Sequence, residues 1–346
     1  MTNFAERVLT WYDQHGRKHL PWQHNPTPYR VWVSEIMLQQ TQVATVIPYY
    51  QRFMASFPDL PMLAAASTDQ VLKHWEGLGY YSRARNLHRC AQVIRDQYQG
   101  RFPTDRETVM SLPGIGRSTA GAMLSLALGQ KQAILDGNVK RVLARYHAID
   151  GYPGQSAVQQ RLWQYAEQHL PDQRNAAYTQ AMMDLGALLC TRSKPACLLC
   201  PLRDGCQAAR QGNPHDYPGR KPARILPEKS RFALVLRNPA GEILLEQRPP
   251  TGIWGGLWSF PEFPDRQQAL AALTAQHPVA DLHELPLQVH PFSHYRLKLQ
   301  PLLADLGMSE TGIMEAGRQL WYKAGIEFGG GLSSAAQQLL KLLENH

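Results

Sequence analysis

The chain has 346 residues, 44% hydrophobic and 18% charged, a globular balance with enough material for two cores. No apolar run reaches the roughly 18 residues of a membrane span, and Met1-Thr2-Asn3-Phe4-Ala5-Glu6 lacks the basic-then-apolar layout of a signal peptide, so a soluble, intracellular protein is expected. The formal net charge of +8 is uneven, with 23 Lys and Arg against 15 Asp and Glu in residues 1–215 and 13 of each in residues 216–346, which points to a polyanionic partner for the first part.

Residues 1–210 read as helical. Phe4, Val8, Leu9 and Tyr12 recur at helical spacing, and Tyr29 to Met37 is a second apolar-faced segment. Within Val31-Trp32-Val33-Ser34-Glu35-Ile36-Met37-Leu38-Gln39-Gln40-Thr41-Gln42, an acid at Glu35 is costly if buried unpaired. The pattern alone favours a solvent-facing residue of an amphipathic helix. Val71 to Trp75 is expected to begin a third helix. Gly77-Leu78-Gly79-Tyr80-Tyr81-Ser82-Arg83-Ala84-Arg85-Asn86 then sets aromatics on a glycine turn before arginines. Tyr80 there reads either as a packed turn aromatic or as a wedge with phosphate contacts behind it. In Leu112-Pro113-Gly114-Ile115-Gly116-Arg117-Ser118-Thr119-Ala120, Gly114 and Gly116 permit a tight turn. Amides at the following helix start can face a phosphate, although an ordinary helix connection has the same look. Thr119 to Leu128 continues as a helix. Asp136, in Leu135-Asp136-Gly137-Asn138-Val139-Lys140-Arg141-Val142, falls where another helix starts and reads as an N-cap.

Cys190, Cys197, Cys200 and Cys206 lie within 17 residues. Cys90 stands alone and reads as a buried small hydrophobe. Without an export signal, disulfides are not expected. Four thiolates at Cys-x6-Cys-x2-Cys-x5-Cys spacing suit zinc or an iron–sulfur cluster, and the long first gap favours the cluster. Residues 211–230 form a basic linker with four prolines. Arg231–Arg237 and Glu242–Gln247 flank Asn238-Pro239-Ala240-Gly241 as a hairpin. Arg266–Gln276 reads as a helix, Leu297–Leu303 as a strand and Ser334–Leu343 as a closing helix, an α+β pattern.

Taken in order, these strings resemble the endonuclease III and MutY group of DNA glycosylases. Ser-Glu-x-Met-Leu-Gln-Gln-Thr-Gln at Ser34–Gln42 resembles the MutY catalytic helix, residues 112–120 resemble the helix-hairpin-helix motif, and the cysteine spacing resembles the group's [4Fe–4S] site. Gln247-Arg248-Pro249 and Gly252-Ile253-Trp254-Gly255-Gly256-Leu257-Trp258-Ser259-Phe260-Pro261 resemble the core of Nudix folds. The resemblance implies a mainly α helix-hairpin-helix glycosylase domain at 1–210, with the hairpin at about 108–130 and the iron–sulfur loop at 190–206. A linker at 211–230 and an α+β Nudix-like lesion-recognition domain at 231–346 follow.

The implied activity is monofunctional removal of adenine mispaired with 8-oxoguanine or guanine in double-stranded DNA, by a cytoplasmic, nucleoid-associated bacterial monomer carrying one [4Fe–4S] cluster on Cys190, Cys197, Cys200 and Cys206. Arg192, Lys194 and Arg203 supply the basic residues of the loop beside DNA. By the same resemblance Glu35 protonates the base, Asp136 stabilises the cationic sugar, and Asn138 orients water or Asp136. Tyr80 is the wedge, Gln40 and Thr41 touch the gap, and Asp184 reads the adenine amino group. Gly114, Gly116 and Arg117 hold the DNA backbone, and Lys140 meets phosphate. Phe292, Ser293 and His294 sense the oxidised base. Relatives that cut the strand carry a lysine where this chain has Ser118, and a hydroxyl forms no imine. Ser118 thus argues against an endonuclease III-like lyase. A DNA-bound iron–sulfur redox sensor is a further alternative. Arg266–Ala280 contains no Asp or Glu, so a Mg²⁺-dependent nucleotide hydrolase is rejected.

Overall fold

The computed structural model describes residues 3–222, 225–276, 279–307, 318–323, 325–326 and 328–343. The helices in chain order are α1 (Phe4–His15), α2 (Pro28–Leu38), α3 (Val43–Ser56), α4 (Leu60–Ala65), α5 (Thr68–His74), α6 (Ser82–Gln97), α7 (Arg106–Ser111), α8 (Arg117–Leu128), α9 (Gly137–Tyr146), α10 (Ser156–Gln168), α11 (Asn175–Leu188) and α12 (Gln207–Arg210). Many starts are chemically marked. Asn3, Thr27, Ser67, Asp105 and Asp136 each accept a hydrogen bond from the backbone N–H three residues on, satisfying one of the donors orphaned at a helix start. The segment expected to begin a helix at Val71 instead belongs to α5, which closes at His74.

The chain divides into two compact units. The first comprises Met1–Ala65 and Asn86–Ala223, and the second Ala66–Arg85 and Arg224–His346. Residues 66–85, expected within the helical domain, group with the second unit. Their hydrogen bonds explain the difference: Gln247 Nε2 donates to Asp69 Oδ1 at 2.8 Å, Arg85 donates to the Gly255 carbonyl, and Gln337 donates to Glu76. In the first unit, α1, α9, α10 and α11 bury Val8, Val139, Leu143, Leu162, Ala181 and Leu185 in one core. Gly186 of α11 meets α9 so closely that a Cβ would lie 2.6 Å from that of Asn138.

The second unit is built on a mixed sheet of β1 (Glu228–Arg237), β2 (Glu242–Gln247), β3 (Trp258–Ser259), β4 (Glu262–Phe263), β5 (Val279–Glu284), β6 (Gln288–Pro291), β7 (Arg296–Leu306) and β8 (Gln319–Lys323). The order β3-β2-β1-β7-β5 has one parallel pair, β1 with β7, and β4, β6 and β8 pair antiparallel with β1, β7 and β2. The hairpin expected between β1 and β2 is present, with Asn238 Oδ1 accepting from the amides of Ala240 and Glu242. Helix α13 (Arg266–Gln276) packs Ala269 and Leu273 onto Leu234, Leu236, Leu302 and Ala304. Helix α14 (Ser334–Leu343) closes the described chain. The observed architecture is the expected helical domain followed by an α+β domain. No described helix is long and apolar enough to cross a membrane.

Candidate active site

Helix α2 starts at Pro28 behind the Thr27 cap and buries Tyr29, Val31, Trp32, Val33, Ile36 and Met37. Those positions leave Glu35 facing a cavity of about 420 Å³, lined by Leu38, Gln39, Gln40 and Thr41 from the end of α2 and the turn after it. Ser118 and Thr119 of α8 and Asp136, Gly137 and Asn138 at the start of α9 complete the opposite wall, with Arg17, Trp22, Gln180 and Met183 around them. Burial pushes the Glu35 carboxyl up to about 8, and the nearby charge of Asp136 pushes in the same direction. Protons therefore stay on Glu35 near neutrality. The solvent-facing reading of Glu35 is replaced, because the neighbouring apolar positions leave this side chain only the cavity to face.

Asp136 differs in its partners. Its Oδ1 accepts from the Val139 amide at 2.7 Å, and its Oδ2 accepts from Asn138 Nδ2 at 3.4 Å. Burial raises its carboxyl above the usual range, and this is opposed by the Val139 amide, the Arg141 charge and Asn138. The helix start and its dipole favour the anion here. Asn138 is itself fixed, since its Oδ1 accepts from Arg141 Nη2 at 2.7 Å. Arg141 also donates to the carbonyls of Gly186 and Cys190, each at 2.6 Å. Ser118 Oγ accepts from the Leu135 amide at 3.0 Å, holding the segment before Asp136 against α8.

Gly114 and Gly116 form the turn between α7 and α8. Gly114 sits at φ +77°, and a Cβ there would lie 2.7 Å from that of Asn86, so only glycine fits. Gly116 caps α8 with no side-chain bond to the first-turn amides, which leaves them available to an anion. Gln40 and Tyr80, expected at the DNA gap, both hold left-handed backbone at φ 58° and 50°, a strained state for non-glycine residues. Tyr80 is 47% exposed.

Three expectations need correction. Asp184 does not line the cavity. It is completely buried, with Oδ1 accepting from Arg17 Nε, Arg17 Nη2 and Gln180 Nε2 at 2.9, 2.6 and 2.9 Å and Oδ2 from the Arg17 amide at 2.7 Å. A carboxylate so occupied anchors Arg17. Arg117 is turned from the hairpin onto α10, 3.9 Å over the Trp163 ring and 2.6 Å from Glu167. Arg83, expected to meet phosphate, is buried and donates to the carbonyls of Leu78 and Gly79. It braces the Tyr80 turn, and Arg85 likewise is engaged by Gly255. Lys140 is half-buried in the first turn of α9.

Arg17, Trp22 and Gln180 also line the cavity, without a signature in the sequence. They come from segments distant in sequence from Glu35, and no local pattern marks them.

Cys190, Cys197, Cys200 and Cys206 line one small apolar cavity with Arg145, Leu185, Leu189 and Leu202. Arg145 is buried and donates to Cys190 Sγ at 3.2 Å and to the carbonyls of Thr191 and Arg192. Among the described residues, no group of three or more His, Cys, Asp or Glu is placed to hold a metal ion. Four sulfurs around one cavity, with a guanidinium beside them, remain a donor set suited to a polynuclear iron–sulfur centre. In the second unit, Ser293 and His294 are exposed between β6 and β7, with the Phe292 amide bonded to the Tyr295 carbonyl at 2.9 Å and the Phe292 ring against Trp254.

Residues 33–168 match the HhH-GPD superfamily of base excision DNA repair proteins, and residues 232–341 match the NUDIX domain. The chain is 39% identical over 320 residues to the adenine DNA glycosylase of Buchnera aphidicola subsp. Acyrthosiphon pisum, covering 92% of this chain and 91% of that one. It is 37% identical over 366 residues to the human adenine DNA glycosylase, covering 87% of this chain and 66% of the human one. A thermostable thymine-DNA glycosylase structure superimposes with a TM-score of 0.55 at 29% identity over 60% of this chain and 95% of that one. An endonuclease III–DNA complex shares the fold, with a TM-score of 0.51 at 22% identity over 60% of this chain and 94% of that one.

Proposed function

The chain belongs to the adenine DNA glycosylases, hydrolases of the N-glycosyl bond, and from that premise we propose that its substrate is adenine paired with 8-oxoguanine or guanine in duplex DNA. The observation that carries this reading is one cavity holding two carboxyls that burial pushes up alike, of which only Asp136 has amide donors and a nearby cation opposing the rise while Glu35 is driven towards its acid.

A base inside the stack is out of reach, so adenine must be extruded into the cavity. Tyr80, exposed on its strained turn, is suited to fill the vacated stack. Gln40 and Thr41 border the cavity and would touch the gap or the orphaned base, and the amides after Gly116 would hold a backbone phosphate. Glu35 then delivers its proton to the purine, making adenine a better leaving group. The deoxyribose gains positive character as the bond breaks, and anionic Asp136 stabilises it. Asn138 holds Asp136 in place, and Glu35, now deprotonated, accepts a proton from the attacking water. Ser118 provides no amine, so the reaction stops at base removal.

A [4Fe–4S] cluster bound by Cys190, Cys197, Cys200 and Cys206 would supply a covalent staple for residues 190–206. Arg145 holds this loop to α9, and Arg192, Lys194 and Arg203 present their charge to the DNA backbone. Ser293 and His294, at an exposed tip of the second unit, would test the altered edge of 8-oxoguanine.

The test is release of free adenine from matched duplexes differing only in the base opposite adenine. Release opposite 8-oxoguanine and guanine, with little opposite thymine, is expected. Equal release from all partners would overturn the mispair reading while leaving the glycosylase chemistry intact.

A further inference from the structure

A second polar cavity lies entirely within the second unit. It measures about 130 Å³ and is lined by Lys229, Arg231, Arg248, Trp254, Glu262 and Tyr295, among others. Three of these are cations and one is an anion. The anion is already engaged: Glu262, on β4, pairs with Arg248. Arg248 is held further by its Nε bond to the Ile253 carbonyl at 3.1 Å and by the ring of Trp254. Lys229 and Arg231 occupy alternate positions on β1 and so share a face. Lys229 Nζ lies 4.6 Å over the Tyr295 ring, and Arg231 Nη1 donates to the Ser230 carbonyl at 3.4 Å. Neither is within ion-pairing distance of a carboxylate among the described residues, although the Arg231 charge acts on Glu262 across the cavity. The cavity therefore carries surplus charge of about +2 on a scaffold of fixed aromatic rings.

We propose that this cavity is an anion site for a single phosphoryl group, held by Lys229 and Arg231 with Arg248 behind them. Like charges brought to one concavity repel unless an anion joins them, and phosphate oxygens match both a guanidinium fork and an ammonium point charge. The space accommodates a phosphoryl group rather than a whole nucleotide. Glu262, the carboxylate lining the cavity, is paired with Arg248, and although Glu246 lies close enough to act on Glu262 it does not line the cavity, so the phosphoryl oxygens meet Lys229 and Arg231. This site is separate from the cavity of Glu35 and does not depend on the mispair reading.

The phosphoryl group can come from the DNA backbone or from a free nucleotide, and two measurements on the full chain separate them. Calorimetry with inorganic phosphate and with guanosine monophosphate, at constant ionic strength, reads the isolated group. The salt dependence of duplex binding reads the backbone. Lys229→Gln/Arg231→Gln retains the side-chain stems, and circular dichroism checks its fold. If a free nucleotide is the source, wild type binds the monophosphate at one per chain, the variant binds it at least tenfold more weakly, and the salt slopes agree. If the backbone is the source, the log–log salt slope of the variant is smaller by about one to two. A folded variant with unchanged phosphate and monophosphate affinity, or with no binding of either by wild type, together with an unchanged slope, overturns the proposal.

Discussion

Glu35 makes the chemistry testable through pH. With its carboxyl at about 8, about 90% of the molecules carry the catalytic proton at pH 7; at the ordinary 4.5 only about 0.3% would. The cavity thus enriches the working acid about 300-fold. Single-turnover adenine release should be level towards neutrality and fall as pH rises through about 8, because the acid form is the active one. Glu35→Gln cannot deliver a proton, and loss of general-acid help should slow release by about 10²–10⁴-fold while mismatch binding persists. The same shift carries a stability consequence. Between about 4.5 and 8 the folded state holds a proton that the unfolded state has released, so this residue's contribution falls as pH rises and its penalty is complete above the folded value. Glu35→Gln should therefore gain melting temperature relative to wild type at pH 9 and little at pH 4. A flat rate profile from pH 6.5 to 9.5, or wild-type-like release by Glu35→Gln, would refute the assignment.

The remaining predictions concern the frame. Arg17→Met strands the Asp184 carboxylate without its main partner in a site with no exposure, and chemical denaturation should show a loss of about 3–5 kcal/mol; Arg17→Met/Asp184→Leu should recover much of it. If Asp184→Asn instead altered base selectivity at full stability, Asp184 would be reading the base after all. Gly114→Ala forces an L-residue to φ +77° against Asn86, costing about 1–2 kcal/mol for the backbone alone, and it should lower both melting temperature and duplex affinity; an unchanged melting temperature would exclude the steric argument. Chemical analysis should find four irons and four sulfides per chain, with Cys200→Ser losing them together with protease resistance at residues 190–206; iron-free wild type with full activity would remove the staple. Ser293→Ala should reduce the preference for 8-oxoguanine over guanine opposite adenine, measured as a ratio of release rates, and an unchanged ratio would move recognition elsewhere.

What the sequence revealed was local. The cap at Asp136 and the glycine turn at Gly114 depend on neighbours three or four residues away, and so does the β1–β2 turn at Asn238; all are visible as short strings. Glu35 illustrates the limit of that reading. Its helical position was clear, yet its environment is set by Asp136, Ser118 and Trp22 from other segments, so periodicity alone pointed to solvent. The Arg17–Asp184 pair joins residues 167 apart, and parallel pairing of β1 with β7 likewise leaves no local mark. Arg117 and Arg83 looked like phosphate ligands because charge is visible in sequence, whereas Trp163, Glu167 and the Leu78 carbonyl that claim them are not.

These absorbed charges sharpen the electrostatic logic of the proposed site. Two carboxyls in one cavity would repel if both were ionised, and the repulsion is relieved by separating their environments rather than by pairing them. Asp136 has an amide and Asn138, itself held by Arg141, so its anion is solvated by fixed protein groups. Glu35 is given burial and the Asp136 charge, and both favour keeping its proton. The Asp136 charge thus helps set the protonation state of Glu35. Arg17 lines the same cavity, but its guanidinium is held by Asp184 through the Nε and Nη2 hydrogen bonds, so what keeps the proton on Glu35 is burial together with the Asp136 charge.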